Sequence, residues 1–204
     1  MTFRQKNVGW YFYTMKFLSA ILLLIFIALV PVFTTGQERQ ADHKVNIEIP
    51  EVALLGLVSD EASQVNFTVT APNEAGSPVD FSNASQNNGV WINYTSIIRS
   101  QNHRRKVMAM VQGEIPAGVH LFVEASEATG VGKGMLGKPV GKVALSGQAT
   151  EVISDIGSCF TGKGSSNGHL LSYELEADNS ANDFVTLEHS QTTLHVVYTL
   201  TDYN

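Results

Sequence analysis

The sequence predicts an all-β protein, a single antiparallel β-sandwich of Ig-like or jelly-roll-like type, preceded by an N-terminal signal peptide. Three observations predict it. Apolar and polar residues alternate in short runs along most of the chain. Clusters of Gly, Pro, Asn and Ser separate those runs. Outside the first apolar segment, no window of about eleven residues carries a helical stripe, while Thr, Val, Tyr and Phe recur where strands would be.

The first element is the uncharged run Phe17 to Phe33, "FLSAILLLIFIALVPVF", preceded by Lys16, Lys6 and Arg4 and followed by Thr34-Thr35-Gly36. A basic flank, an apolar stretch and small residues before a cleavage point define an export signal. Residues 1–36 are read as that signal, with Met15 as an alternative true start, and residues 37–204 as one β-sandwich domain. The run falls short of the roughly 20 residues of a membrane span, and Pro31 interrupts it; an uncleaved anchor is the alternative. After cleavage no stable membrane insertion is expected, and the protein is expected to be secreted, periplasmic or at the cell surface.

The strands follow in order. "KVNIEIP" places Val45, Ile47 and Ile49 on one face and Asn46 and Glu48 on the other, and "QVNFTVT" does the same with Val65, Phe67 and Val69. Ile92 and Tyr94 alternate in "VWINYTSII", Val107, Ala109 and Val111 in "KVMAMVQ", and Leu121, Val123 and Ala125 in "HLFVEA". Shorter strands are expected at residues 143–145 and 152–156. "HLLSYELEA" aligns Leu171, Tyr173 and Leu175, and "TTLHVVYTLTD" aligns Leu194, Val196, Tyr198 and Leu200. Residues 72–88 and the glycine-rich 127–142 read as long loops, where a sandwich commonly carries recognition.

Charge narrows the function classes. The chain holds 13 Lys and Arg against 19 Asp and Glu, and a cleaved signal would remove three bases and no acid, leaving a net charge of −9. Such a surface repels nucleic acid, so no nucleic-acid partner is expected. The basic run His103-Arg104-Arg105-Lys106 reads as a solvated face or strand-end turn. One cysteine, Cys159, makes no internal disulfide. Sequons stand at Asn66, Asn83 and Asn93 and matter only in a host that glycosylates exported proteins.

The motifs that suggest chemistry lack their context. "GSCFTGKG", Gly157 to Gly164, matches a phosphate loop except that Gly164 replaces the hydroxyl residue, and an alternating strand follows where a helix is required. It reads as a bend between strands with Lys163 facing solvent. Gly132 to Gly137 spells G-x-G-x-x-G, but Pro139 and the surrounding glycines argue for an irregular loop. Cys159, His169 and Asp155 would form a thiolate site if a hairpin brought them together; a lone cysteine is more often a small buried hydrophobe. The six histidines show no zinc spacing, and "EADNSAND", Glu176 to Asp183, offers oxygen ligands without a calcium-loop order. No catalytic residue, metal or cofactor is expected.

The closing "LHVVYTLTD" resembles the last strand of secreted bacterial β-sandwich proteins, among them fimbrial subunits and spore-coat-like domains. "IGSCFTGKG" with "GHLLSYELE" is similar to segments of uncharacterised exported bacterial proteins. The resemblance covers about the last third of the mature chain and implies a surface or structural sandwich without catalytic residues. Fimbrial subunits commonly carry paired cysteines or a complementing N-terminal extension; Cys159 departs from the first.

The sequence therefore points to a non-enzymatic assembly subunit or adhesin. Its partners would be itself or other surface proteins, and Val45, Ile47 and Ile49 would pair with a neighbour's open sheet edge. The alternative is a carbohydrate-binding module using Trp91 with Lys133 and Lys138 of the glycine-rich loop to hold a glycan. Trp91 itself is the more often buried kind of residue, which favours a core position.

Overall fold

The computed structural model describes residues 18–19, 41–59, 64–81, 84–177 and 184–203. Most of the expected signal segment, Asn83 and the Asp and Asn residues of 178–183 lie outside these. The chain divides into two units, 1–47 and 48–204. In the first, Leu18 and Ser19 are helical and residues 41–47 belong to no strand.

The second unit is all-β. Its strands are β1 (Val52–Ser59), β2 (Ser85–Ile97), β3 (Arg105–Gln112), β4 (Val119–Ala125), β5 (Lys133–Pro139), β6 (Val143–Ala144), β7 (Thr150–Phe160), β8 (His169–Ala177) and β9 (His195–Asp202). All nine join one antiparallel sheet in the order β6-β4-β8-β2-β7-β3-β9, with β1 on β2 and β5 on β7. The branching comes from two long strands. β2 pairs with β8 through its first half and with β7 at Thr95 and Ser96, while β1 runs along its other edge. β7 in turn carries β3 and β5.

The expected alternation sets the core. Ile92, Val107, Ala109, Val123 and Leu171 are fully buried, and Tyr94, Val111, Leu121, Ala125, Tyr173 and Tyr198 nearly so. In β7 the period breaks: adjacent Val152 and Ile153 are both buried, because the register against β3 slips twice. Such bulges add residues to one strand and turn consecutive side chains inward. Asp155, in the second slip, takes a left-handed φ of 55°.

Three expectations need correction, and one strand was not expected. Residues 44–50 form no strand, and Val45, Ile47 and Ile49 are exposed instead of half-buried. Alternation makes a segment fit to pair, but a strand also needs a partner for its backbone. "QVNFTVT" keeps its alternation, with Val65 and Phe67 against the core, yet makes only a single bridge from Thr70 to Asp80. The glycine-rich stretch 127–142 is not an irregular loop, since it contains β5. Its glycines let β5 lie unusually close to β7: a Cβ on Gly134 would stand 2.3 Å from the Ser158 carbonyl oxygen, and one on Gly137 2.6 Å from that of Ser154. The unexpected strand is β1, "VALLGLVS", an uncharged run without clean alternation that nevertheless pairs with β2 along its whole length.

Candidate functional site

The first polar cluster grows out of the start of β3. Arg105 shares the parity of Val107, Ala109 and Val111, so the strand carries its side chain inward, and it is 3% exposed. Its Nε donates to Asp202 Oδ1 at 2.8 Å and its Nη2 to Glu51 Oε1 at 2.6 Å. Nη1 donates to Ser96 Oγ, to the Ile97 carbonyl and to the Val52 carbonyl. One guanidinium thereby ties β1, β2, β3 and β9 together. His103 Nε2 faces Asp202 Oδ1 at 3.0 Å, and Arg99 Nε reaches Glu51. The close approach of His103 and the hydrogen bond from Arg105 hold the Asp202 carboxyl below its ordinary range. The basic run 103–106 thus lies where a turn enters β3, one of the two places expected for it, but Arg105 is buried and the run is not a solvated face.

Glu51, His103 and Asp202 bring one ligand atom each within 4.8 Å of one another, the kind of set that holds a cation. Arg105 bonds to both carboxylates, however, and already supplies the positive charge a metal would bring. The group works as a clasp.

The second cluster is buried between β2, β5 and β8. His169 has no exposed surface; its Nε2 lies 2.7 Å from Tyr94 Oη and its Nδ1 2.7 Å from the Ser126 carbonyl. Tyr94 also donates to the Leu136 carbonyl. Both imidazole nitrogens are engaged, and β2 lies between β7 and β8, so the hairpin that would join Cys159 to His169 does not form. Cys159 is 8% exposed, and burial pushes its thiol up to about 11, against a weaker pull from the Ser96 backbone. At neutral pH it is a packed, protonated thiol.

The loop that spells a phosphate motif is filled by the protein's own side chains. Gly157 to Phe160 belong to β7, and the bend is confined to residues 161–168. Gly164 N donates to Asn93 Oδ1 at 3.1 Å, and Asn93 Nδ2 donates to the Asn167 carbonyl at 2.6 Å. Asn167 Oδ1 accepts from Val131 N, and its Nδ2 bonds the carbonyls of Lys163 and Ser165. The concavity a phosphate would occupy holds two amides. Lys163 is exposed, as expected. The Asn93 amide is committed to this turn, whereas Asn66 is exposed.

Trp91 lies on the outer side of β2, opposite Val58 and Leu170, and is half-buried. Lys133 and Lys138 are exposed on β5, which pairs with β7 and not with β2. Trp91 and the two lysines thus stand on different, unpaired strands. A pocket of about 70 Å³ lies instead between β4 and β8, where Lys142 Nζ bonds Glu174 at 2.7 Å, also bonds Glu176, and sits 4.5 Å above the Phe122 ring. Ligand cavities of roughly 300 Å³ or more are usual, and this one is occupied by its own lysine. His120 and His195 are exposed on β4 and β9 and join no ligand set among the described residues.

The remaining feature is apolar. Val45, Ile47 and Ile49 are 67%, 81% and 73% exposed in a stretch without strand pairing. That stretch runs through Glu51 into β1, where Leu54 and Leu57 are 65% and 47% exposed. Sequence reasoning found the first three residues and missed β1 and Arg105. The parity of "RKVMAMV" was the signal that could have placed Arg105 inside. In comparisons with known proteins, no family model, no curated protein and no solved structure matches this chain.

Proposed function

We propose that the protein is an exported, non-enzymatic β-sandwich that serves as an assembly subunit or adhesin, joining its partner by strand addition. One observation carries this reading: Lys44 to Pro50 offers alternating exposed apolar side chains and an unpaired backbone next to an edge strand. Main-chain hydrogen bonds would give such an addition its affinity, and the isoleucines its register. The uncharged run Phe17 to Phe33 with its basic flank supports export. Folding of the sheet into two layers, β6-β4-β8-β2-β1 over β5-β7-β3-β9, is supported by the Tyr173 and Tyr198 hydroxyls. They meet at 2.8 Å although β8 and β9 stand far apart in the strand order. The engagement of His169, Cys159 and the 161–168 bend by structural partners supports a role without catalysis.

The test is the native mass of the exported protein, measured by light scattering, against the Ile47→Lys/Ile49→Lys variant. Assembly in the wild type and its loss in the variant, with melting temperature unchanged, is the expected result. A wild-type monomer, or assembly indifferent to both substitutions, would remove the reading. Glycan-array binding that disappears with Trp91→Ala would put the carbohydrate-binding alternative in its place.

A further inference from the structure

The acceptor for this addition can be named, on the reading that Lys44 to Pro50 is a donor strand. We infer that it pairs with β1 of a second copy, reciprocally, in a closed antiparallel dimer with Val52 opposite its own counterpart.

Among the described residues, four strands have one side without a neighbouring strand: β6, β9, β1 and β5. β6 has two residues. β5 carries Lys133, Lys138 and Pro139 and bends at Gly134 and Gly137, whose φ values are 93° and 86°. Charge, proline and strong local twist are the usual means of blocking an edge. β9 ends on Asp202, held by His103 and Arg105. β1 is eight residues long, uncharged and free of proline and bulge. It is the unguarded edge.

The inner side of β1 is also incompletely covered. Leu57 pairs with Ile92 and Leu55 with Tyr94, and both partners are buried, so the two leucines face the core side. Leu57 nonetheless stays 47% exposed. One more strand bearing apolar residues at matching positions would close that face.

Connectivity decides whose strand it is. Lys44 to Pro50 leads into β1 through Glu51 alone, and a chain needs a turn of at least about two residues to fold back on itself. The segment therefore cannot lie along β1 of its own chain.

Register follows from parity and charge. Ile47 and Ile49 belong beside Leu57 and Leu55 to extend the inner face, which puts Asn46 opposite Val58, Glu48 opposite Gly56 and Glu51 opposite Ala53. No like charges meet. Sliding by two residues in one direction would set Glu51 against its own copy, which is unfavourable. Sliding by two in the other would leave Ile47 opposite Ser59. With Val52 on the two-fold axis both donors and both acceptors are used at once, so the contact closes instead of propagating.

Cysteine pairs test the register. Asn46→Cys with Val58→Cys, made in the native and in the Cys159→Ala backgrounds of the full chain, should give a covalent dimer as the main product of mild oxidation. Asn46→Cys with Leu57→Cys, which points to the other side, should give at least about five-fold less. Assembly that persists while Asn46→Cys links to Thr199→Cys on β9 and not to Val58→Cys would overturn β1 as acceptor and leave strand addition standing. A protein that stays monomeric at every concentration would overturn both.

Discussion

β1 and β5 both stand off the main path of the sheet, yet one edge is built open and the other closed. β5 lies so close to β7 that glycine is required at its contacts, and lysines and a proline line its outer side. In β1 a Cβ on Gly56 would meet nothing within 4 Å, and the strand has leucines that remain in water and no charge. It is attached at its start by one guanidinium, through the Val52 carbonyl and Glu51. On the strand-addition reading proposed above the asymmetry matters, because two open edges would allow filaments in uncontrolled registers.

The strongest way to break the comparison is to force β5 away from β7. A Cβ at Gly137 would sit 2.6 Å from both the Ile156 side chain and the Ser154 carbonyl, at φ 86°. Gly137→Val adds a clash to a backbone conformation that branched residues avoid, and should cost about 4 kcal/mol in urea unfolding. Gly141→Val separates the two causes: its φ is 92° with nothing within 4 Å, so backbone strain alone acts, at about 1 to 2 kcal/mol. Equal losses at the two sites would show that close packing of β5 is not what holds it.

Next comes the attachment of β1. Arg105→Met keeps the volume of the side chain but removes five donors and leaves Glu51 and Asp202 without their shared partner. A buried charge removed from its pair costs 3 to 5 kcal/mol, and because both carboxylates retain contact with water the expected loss is about 2 kcal/mol. Hydrogen exchange sharpens the contrast: β1 amides should exchange faster while those of β5 keep their protection. Acceleration spread evenly over both would mean that the clasp serves the whole sheet.

The two edges also mark how far the sequence could be read. Ile92, Val107, Val123 and Leu171 announce themselves by alternation, because a strand with one covered face must repeat every second residue. β5 hides from that rule, since glycines that permit close backbone approach are also the residues that usually mark loops. β1 hides because the side facing water is as apolar as the side facing the core. Arg105 was concealed by its neighbours: in a basic run, charge suggests solvent, although position in the strand pointed inward. In the candidate site, the exposure of Val45, Ile47 and Ile49 goes with something no local pattern contains: among the described residues no strand pairs with theirs.

The smallest effect concerns the acid side of the β1 attachment and has a definite sign. Asp202 is held below its ordinary value of 3.8 by the nearby His103 and by the hydrogen bond from Arg105. A carboxyl depressed in the folded state adds stability above its unfolded value, and that stability fades as pH falls through the folded one. The melting temperature of the wild type should therefore exceed that of Asp202→Asn at neutral pH, and the gap should close below about 3.8. Asp202 is partly exposed, so the gap at neutral pH should be a few degrees at most. Because Asp202 lies on β9 and acts on β1 only through Arg105, the same acid titration should loosen β1 amides and leave β5 as it was. A gap independent of pH would mean that Asn replaces the carboxylate as a hydrogen-bond acceptor, and that charge contributes nothing to fixing the open edge.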